Sequence, residues 1–397
     1  MTPQPTRSPT KRPTQSPTWS SAAPSISSAP TLTDCNNPGT CENRLLEQIY
    51  AVSARVGTVP AQSDPNSAQS RARDWILEEC DGGRIDPCTE SQIILNEQRY
   101  ALAVMYYSLD GDGWVNGANP GADKGAGPGV WLSGENYCDW TRDIVPDKSP
   151  VNAPYSQLMC DEFGNVLNLN LQSNNMAGPI PPEIGVLVYM TSYISFFNAQ
   201  TGPIPTSLGL IRPLQTFDVE SNNMDGDLFK PEYAGGSGLT EIVNFRTSLN
   251  NFRGTVPAGI GRWTKLQNLW FADNYITGTI PTEVGNLEDM DAFLFYSNEI
   301  AGTIPSEIGN LDRLTWIDME NNKIVGTIPE EFYSNLAVEE AIFKNNSLSG
   351  SISDRVGDLE GLSRFWASNN QLSGTIPATF GNLLNLEELE LQNNRLE

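Results

Sequence analysis

From residue 174 onward an asparagine returns at Asn174, Asn198, Asn222, Asn250, Asn274, Asn298, Asn322, Asn346, Asn370 and Asn394, and eight of the nine steps are 24 residues long. A glycine stands four places after each of the first nine, from Gly178 to Gly374. A fixed step of this size is what a coil of stacked turns imposes, because each turn meets only the turns before and after it. The clearest copy is Leu266 to Pro281, LQNLWFADNYITGTIP. A chain of 397 residues built this way is one quasi-linear body, so its length is no guide to domain count.

Strand side chains alternate, so the residues five and three places before each asparagine are expected to point inward. The first column is Leu169, Tyr193, Phe217, Phe245, Leu269, Phe293, Ile317, Ala341, Phe365 and Leu389, apolar throughout. The second is Leu171, Ser195, Val219, Thr247, Phe271, Phe295, Met319, Phe343, Ala367 and Leu391. Ser195 and Thr247 mark the least regular turns, and a one-place shift near Tyr193 would bury Ile194 and Phe196 instead. The long step, from Asn222 to Asn250, carries KPEYAGGSG, expected as a bulge on the convex side. The asparagine amide can satisfy both the NH and the C=O groups of the chain leaving the strand. The glycine permits a tight path, and Ile-Pro (Ile280, Pro281) suits a short outer strand ending in a turn. The pattern LxxLxLxxNxLxGxIP thus predicts an α/β-type leucine-rich repeat solenoid, a curved parallel β-sheet of about ten repeats behind a small α-helical, disulfide-bonded N-terminal cap.

Three regions follow. Residues 1–33 are rich in Pro, Thr and Ser and too poor in apolar mass to bury a core, so they read as a disordered stalk suited to O-glycosylation. Residues 34–165 form the cap region. There Leu45, Leu46, Ile49 and Val52 share one helical face; Asp64-Pro65 is expected to open a helix carrying Ala68, Ala72, Trp75 and Ile76; and Thr89 with Gln92 resembles a capping box. Trp114, Trp131 and Trp140 are expected to pack this cap. Residues 166–397 are the repeats, and they stop three residues past the last asparagine with no closing element, which suggests that the natural protein continues.

Composition excludes several functions. A formal net charge of −24 opposes nucleic-acid binding and favours cationic or neutral partners. The absence of histidine removes Ser-His-Asp triads, HExxH zinc sites and every His-ligated metal. Asp110, Asp112 and Asn116 hint at a calcium loop, but Gly121 stands where the closing Glu would be, and Gly125, Gly127 and Gly129 do not complete GxGxxG. No metal or cofactor is expected. No run of about 18 apolar residues could span a membrane, and Met1 leads into no apolar export segment. The six cysteines lie outside the repeats and read as oxidised pairs; sequence proximity favours Cys35 with Cys41, Cys80 with Cys88, and Cys138 with Cys160.

The GxIP pattern with the following GNL (Gly285, Asn286, Leu287; Gly309, Asn310, Leu311; Gly381, Asn382, Leu383) resembles the plant-type leucine-rich repeat proteins, which include receptor-kinase ectodomains and polygalacturonase-inhibiting proteins. Trp131, Cys138, Asp139, Trp140, Cys160 and Asp161 look like that family's N-terminal cap, and the resemblance implies a Cys138–Cys160 disulfide. RDWILEEC, RYALAVMYYSLDGDGW and the Pro/Thr stalk are similar to leucine-rich repeat proteins of diatoms and related algae, many of them receptor-like.

The concave face carries the residues six, four and two places before each asparagine. Trp270, Leu294, Tyr296, Trp316, Ile342 and Trp366 stand there, beside Asp318 with Glu320 and Asp218 with Glu220. Clustered exposed aromatics mark a binding surface, and carboxylates beside them suit a sugar ring or a basic peptide. Carboxylates two places apart on a strand lie roughly 6.6 Å apart, near the spacing used by glycosidases, yet an open sheet offers no pocket to desolvate one, so a solvated acidic face is expected. Asn345 heads the sequon Asn345-Asn346-Ser347 and is expected at the rim as an N-glycosylation site. The expectation is a non-enzymatic, extracellular or cell-surface recognition module, receptor-like, binding a protein, peptide or glycan. The alternatives are an adhesive cell-surface glycoprotein or an inhibitor of a secreted hydrolase.

Overall fold

A computed structural model describes residues 38–58, 64–81, 90–114, 131–132, 137–140, 157–234 and 238–397. The expected stalk, Cys35, Cys88, Thr89 and the glycine-rich segment 115–130 lie outside them. The concave side of the coil is one eleven-stranded sheet in chain order. We number its strands β1 (Gln157–Cys160), β2 (Val166–Asn170), β3 (Ser192–Ile194), β4 (Thr216–Asp218), β5 (Asn244–Arg246), β6 (Asn268–Trp270), β7 (Ala292–Leu294), β8 (Trp316–Asp318), β9 (Glu340–Ile342), β10 (Arg364–Trp366) and β11 (Glu388–Glu390). β1 runs antiparallel to β2, and every later pairing is parallel.

The two inward columns form the core as the period predicts. From Leu169 to Phe365 every member of the first column is buried, and Tyr193 and Ser195 are both fully buried, so the regular register holds in the second repeat. Ser195 is accommodated because its hydroxyl donates to Gln200 Oε1 at 2.7 Å, while Gln200 Nε2 donates to the Tyr193 hydroxyl at 3.2 Å. Rings stack from turn to turn, Tyr193 on Phe217 at 5.7 Å and Phe217 on Phe245 at 5.6 Å between centroids. Each such ring contributes roughly 2–3 kcal/mol by leaving water.

The asparagine ladder makes the expected double use of its amide. Asn274 Oδ1 accepts the Phe252 N–H at 2.9 Å, and its Nδ2 donates to the carbonyls of Thr247, Phe271 and Ala272 at 3.0, 3.2 and 3.0 Å. One side chain thereby ties its own turn to the one before it. Gly278 is required twice over: its φ is +83°, and a Cβ there would stand 2.8 Å from Thr255 Cγ2. On the convex side each Ile-Pro leads into a short 3-10 helix, such as Thr282–Asn286 after Pro281, an element that period alone did not reveal. In the long repeat, where a bulge was expected, the KPEYAGGSG insertion forms one turn of α-helix, Pro231–Ala234.

The cap consists of α1 (Pro38–Val56), α2 (Ala68–Asp81) and α3 (Glu90–Ser108). α1 buries Leu45, Ile49 and Val52, and α2 buries Ala72, Trp75 and Ile76, the expected faces. α2 starts three residues later than Asp64-Pro65 suggested, because the Ser67 hydroxyl accepts the Ser70 N–H at 3.1 Å and acts as the cap. Cys41 pairs with Cys80, their Cα atoms 6.3 Å apart. This corrects both proximity pairings that involve these residues: packing of α1 on α2 brings together cysteines 39 residues apart. Cys138 pairs with Cys160 as expected. Trp114 and Trp131 pack edge-to-face at 4.9 Å between centroids, and Trp131 and Trp140 pack at a tilt at 5.4 Å. The cap closes on the first repeats through polar contacts: Gln98 Oε1 accepts the Val166 N–H at 2.8 Å, and the buried Glu183 accepts from Thr58 Oγ1 at 3.0 Å and Gln69 Nε2 at 3.3 Å. Among the described residues no helix is long and apolar enough to cross a membrane.

Candidate recognition surface

Parallel register lines up the middle column of the concave face across the sheet. Ile194, Asp218, Arg246, Trp270, Leu294, Asp318, Ile342 and Trp366 are successive strand partners. Five of the expected site residues, Trp270, Leu294, Asp318, Ile342 and Trp366, therefore stand in one column. Their heights differ. Leu294 and Ile342 are only 5% and 4% exposed, which corrects their assignment to the contact surface. Each has a tryptophan as one strand partner, Trp270 beside Leu294 and Trp366 beside Ile342, so it forms floor.

The tryptophans do not protrude either; Trp270, Trp316 and Trp366 are half-buried. The Arg246 guanidinium lies 4.0 Å from the centroid of Trp270, and the Lys344 ammonium lies 4.2 Å from that of Trp366. Trp270 and Trp316 meet edge-to-face with centroids 6.5 Å apart. The cations hold the indoles sideways along the sheet. Arg246 and Lys344 escaped the sequence reading, although both occupy concave positions one strand from a tryptophan.

The carboxylates depart furthest from expectation. Asp218 and Asp318 are 5% and 6% exposed, so the face is not a solvated acidic surface. Asp318 lies between Leu294 and Ile342, and Asp218 between Ile194 and Arg246, neighbours that displace water. Burial pushes the Asp318 carboxyl up to about 7, the Asp218 carboxyl to about 6 and the Glu220 carboxyl to about 7. For Glu220 the neighbouring Asp218 charge adds to the effect. Asp318 Oδ1 accepts the Glu320 N–H at 2.9 Å and Asp218 Oδ1 the Glu220 N–H at 3.2 Å. Among the described residues neither second carboxylate oxygen has a hydrogen-bond partner, and no cation comes within salt-bridge distance of either aspartate. The indole N–H groups of Trp270 and Trp316 are likewise buried without a partner.

Glu320 is placed differently. Lys344 Nζ stands 3.2 Å from one of its oxygens, and Asn345 Nδ2 donates to the other at 3.3 Å. Asn345 is exposed at the rim, as expected, and accepts from Asn369 Nδ2 at 2.8 Å. The Tyr296 phenol sits between the two carboxylate groups: burial, then the charges of Asp273, Asp318, Glu220 and Glu320, push its pKa up.

Comparison with known proteins agrees with this geometry. The Leucine Rich Repeat family pattern matches residues 265–287, 313–335 and 361–383. Receptor like protein 21 of Arabidopsis thaliana is 32% identical over 112 residues, 26% of this chain and 10% of that protein. The ectodomain of the Arabidopsis thaliana receptor kinase GASSHO1/SCHENGEN3, solved in complex with CASPARIAN STRIP INTEGRITY FACTOR 2, superposes with a TM-score of 0.54 at 29% identity, covering 58% of this chain and 30% of that one. The plant peptide hormone receptor RGFR1, solved with RGF2, gives 0.51 at 29% identity, covering 58% and 40%. The chain spans a tenth of the curated relative and under half of either ectodomain. The chain carries leucine-rich repeats, and its fold resembles the ectodomains of plant receptor kinases.

Proposed function

We propose that the protein is a receptor-like recognition module of the cell surface or extracellular space, binding a protein, peptide or glycan ligand on the concave sheet without chemical turnover. The observation that carries this reading is the floor around Trp270, Tyr296 and Trp316, where indole N–H groups are buried without a partner and Asp218 and Asp318 each accept a single backbone hydrogen bond. Buried polar groups are normally satisfied, and a set that is open toward one face is what a ligand completes. Two disulfides support an oxidising compartment. The similar ectodomains named above were solved with peptide ligands, which supports the same reading. RDWILEEC and the long α3 segment underlie a finer likeness, to receptor-like proteins of diatoms and related algae.

The test is the combined replacement of Trp270, Tyr296 and Trp316 by alanine. The variant should keep the circular dichroism of the parent and lose retention of components from a secreted peptide and oligosaccharide fraction passed over the immobilised protein. Equal retention by parent and variant would overturn the concave-face reading.

A further inference from the structure

Two features of the floor are costly unless something binds there. Asp218 and Asp318 are nine-tenths buried, each with one oxygen unpartnered. A buried carboxylate without an ion pair costs free energy. Local charge sums the same way at both places. At the first, Asp218 and Glu220 face Arg246, two negative charges against one positive. At the second, Asp318 and Glu320 face Lys344, again two against one, beside Glu340, whose partner Arg364 at 2.8 Å also lies 3.7 Å from Glu388. Each place therefore lacks at least one cation. β3 brings only Ile194 and Phe196 to the first, and β7 brings Leu294 and Tyr296 to the second, so the strands packed against them supply no further charge.

The two places are four strands apart, from β4 to β8. At about 4.8 Å per strand the separation is roughly 19 Å, which an extended peptide at about 3.3 Å per residue covers in about six residues. Between them lie Trp270, Trp316 and the Tyr296 phenol, an aromatic floor on which peptide side chains can pack.

We infer that the concave face binds an extended cationic peptide lying across the strands, with one basic side chain seated at Asp218 and a second, about six residues along, at Asp318. This rests on the concave-face reading above and adds the chemistry and spacing of the ligand. A guanidinium or ammonium supplies the missing charge and donates to the free carboxylate oxygen. Because burial holds these carboxyls near neutral pH, the complex is strongest above pH 7 and weakens as pH falls toward 5.5 and the carboxylates take up protons.

The test uses the full chain and fluorescein-labelled twelve-residue peptides in a Gly/Ser/Pro background. Two arginines are placed two to ten positions apart, and a matched set carries glutamine instead. Fluorescence anisotropy should show the tightest binding near a spacing of six, about tenfold weaker binding to Asp218→Asn or Asp318→Asn, and a comparable loss at pH 5.5. Both asparagine variants keep the Oδ1 acceptor, and thermal melts verify their folding. Affinity that is flat in spacing, or equal for the glutamine set, overturns the proposal. Neutral oligosaccharides binding in a Trp270-dependent manner while the peptides do not bind would overturn it too and leave the concave-face reading standing. A spacing optimum indifferent to Asp218, Asp318 and Trp270 would overturn both.

Discussion

This coil buries two kinds of polar side chain on neighbouring columns, and they are treated in opposite ways. The ladder asparagines are saturated: Asn298, like Asn274, accepts one backbone N–H and donates to three carbonyls, the shortest of these contacts at 2.8 Å. Asp218 and Asp318, on the neighbouring concave column, are equally buried but accept one hydrogen bond each and, among the described residues, form no salt bridge. The first arrangement is what a stable fold requires. The second weakens the fold and is retained on the one face that the architecture leaves open, which is where a protein can exchange stability for recognition.

The strongest way to break this comparison is to remove a ladder amide. Asn274→Ala leaves the Phe252 N–H and the carbonyls of Thr247, Phe271 and Ala272 without their partner. The expected cost is on the order of 3–5 kcal/mol, read as a lower urea midpoint. A loss below about 1 kcal/mol would mean that water replaces the amide and that the ladder is not the structural device described here.

Asp318→Asn should have the opposite sign. The native carboxyl, held at about 7 instead of 3.8, contributes fully to stability only below the lower value, and the contribution is lost as pH rises through the upper one. At pH 8 the isosteric amide, which keeps the acceptor for the Glu320 N–H, should therefore stabilise the protein by about 2–4 kcal/mol. The gain should shrink to nothing near pH 4. Urea titrations at several pH values check this, and a gain independent of pH would show that Asp318 is not held as a buried carboxyl.

The difference between the two columns also explains what could be read from the sequence. A period of 24 fixes which residues face inward, so Phe271, Asn274 and Gly278 were legible as fold, and Trp270 and Tyr296 as concave, without a structure. Height on that face was not legible, because it depends on side chains 24 residues away in the chain and adjacent across the sheet. Leu294 is buried by its register between Trp270 and Asp318, and Asp318 is desolvated by Leu294 and Ile342. The Cys41–Cys80 bond was hidden for a related reason: proximity in sequence favoured other partners, and helix packing decided.

A third column, immediately before the ladder asparagines, tests the same logic at the smallest scale. There the backbone is left-handed in every turn from Ser173 to Asn393, and the last four turns place asparagine in it, at Asn321, Asn345, Asn369 and Asn393. Asparagine tolerates this conformation, whereas a bulky side chain is strained by it. Phe197, at φ +54°, and Leu249, at +57°, are the exceptions. Phe197 is 62% exposed and touches Phe196 at 5.3 Å between ring centroids, so little burial is lost if it is shortened. Phe197→Asn should then stabilise the protein by about 1 kcal/mol, a rise of a few degrees in Tm, with the same sign at every pH. Because this gain would come from backbone strain alone, a pH-dependent gain would instead tie Phe197 to the titration of Asp218 and Glu220 and extend the costly region one strand toward the cap.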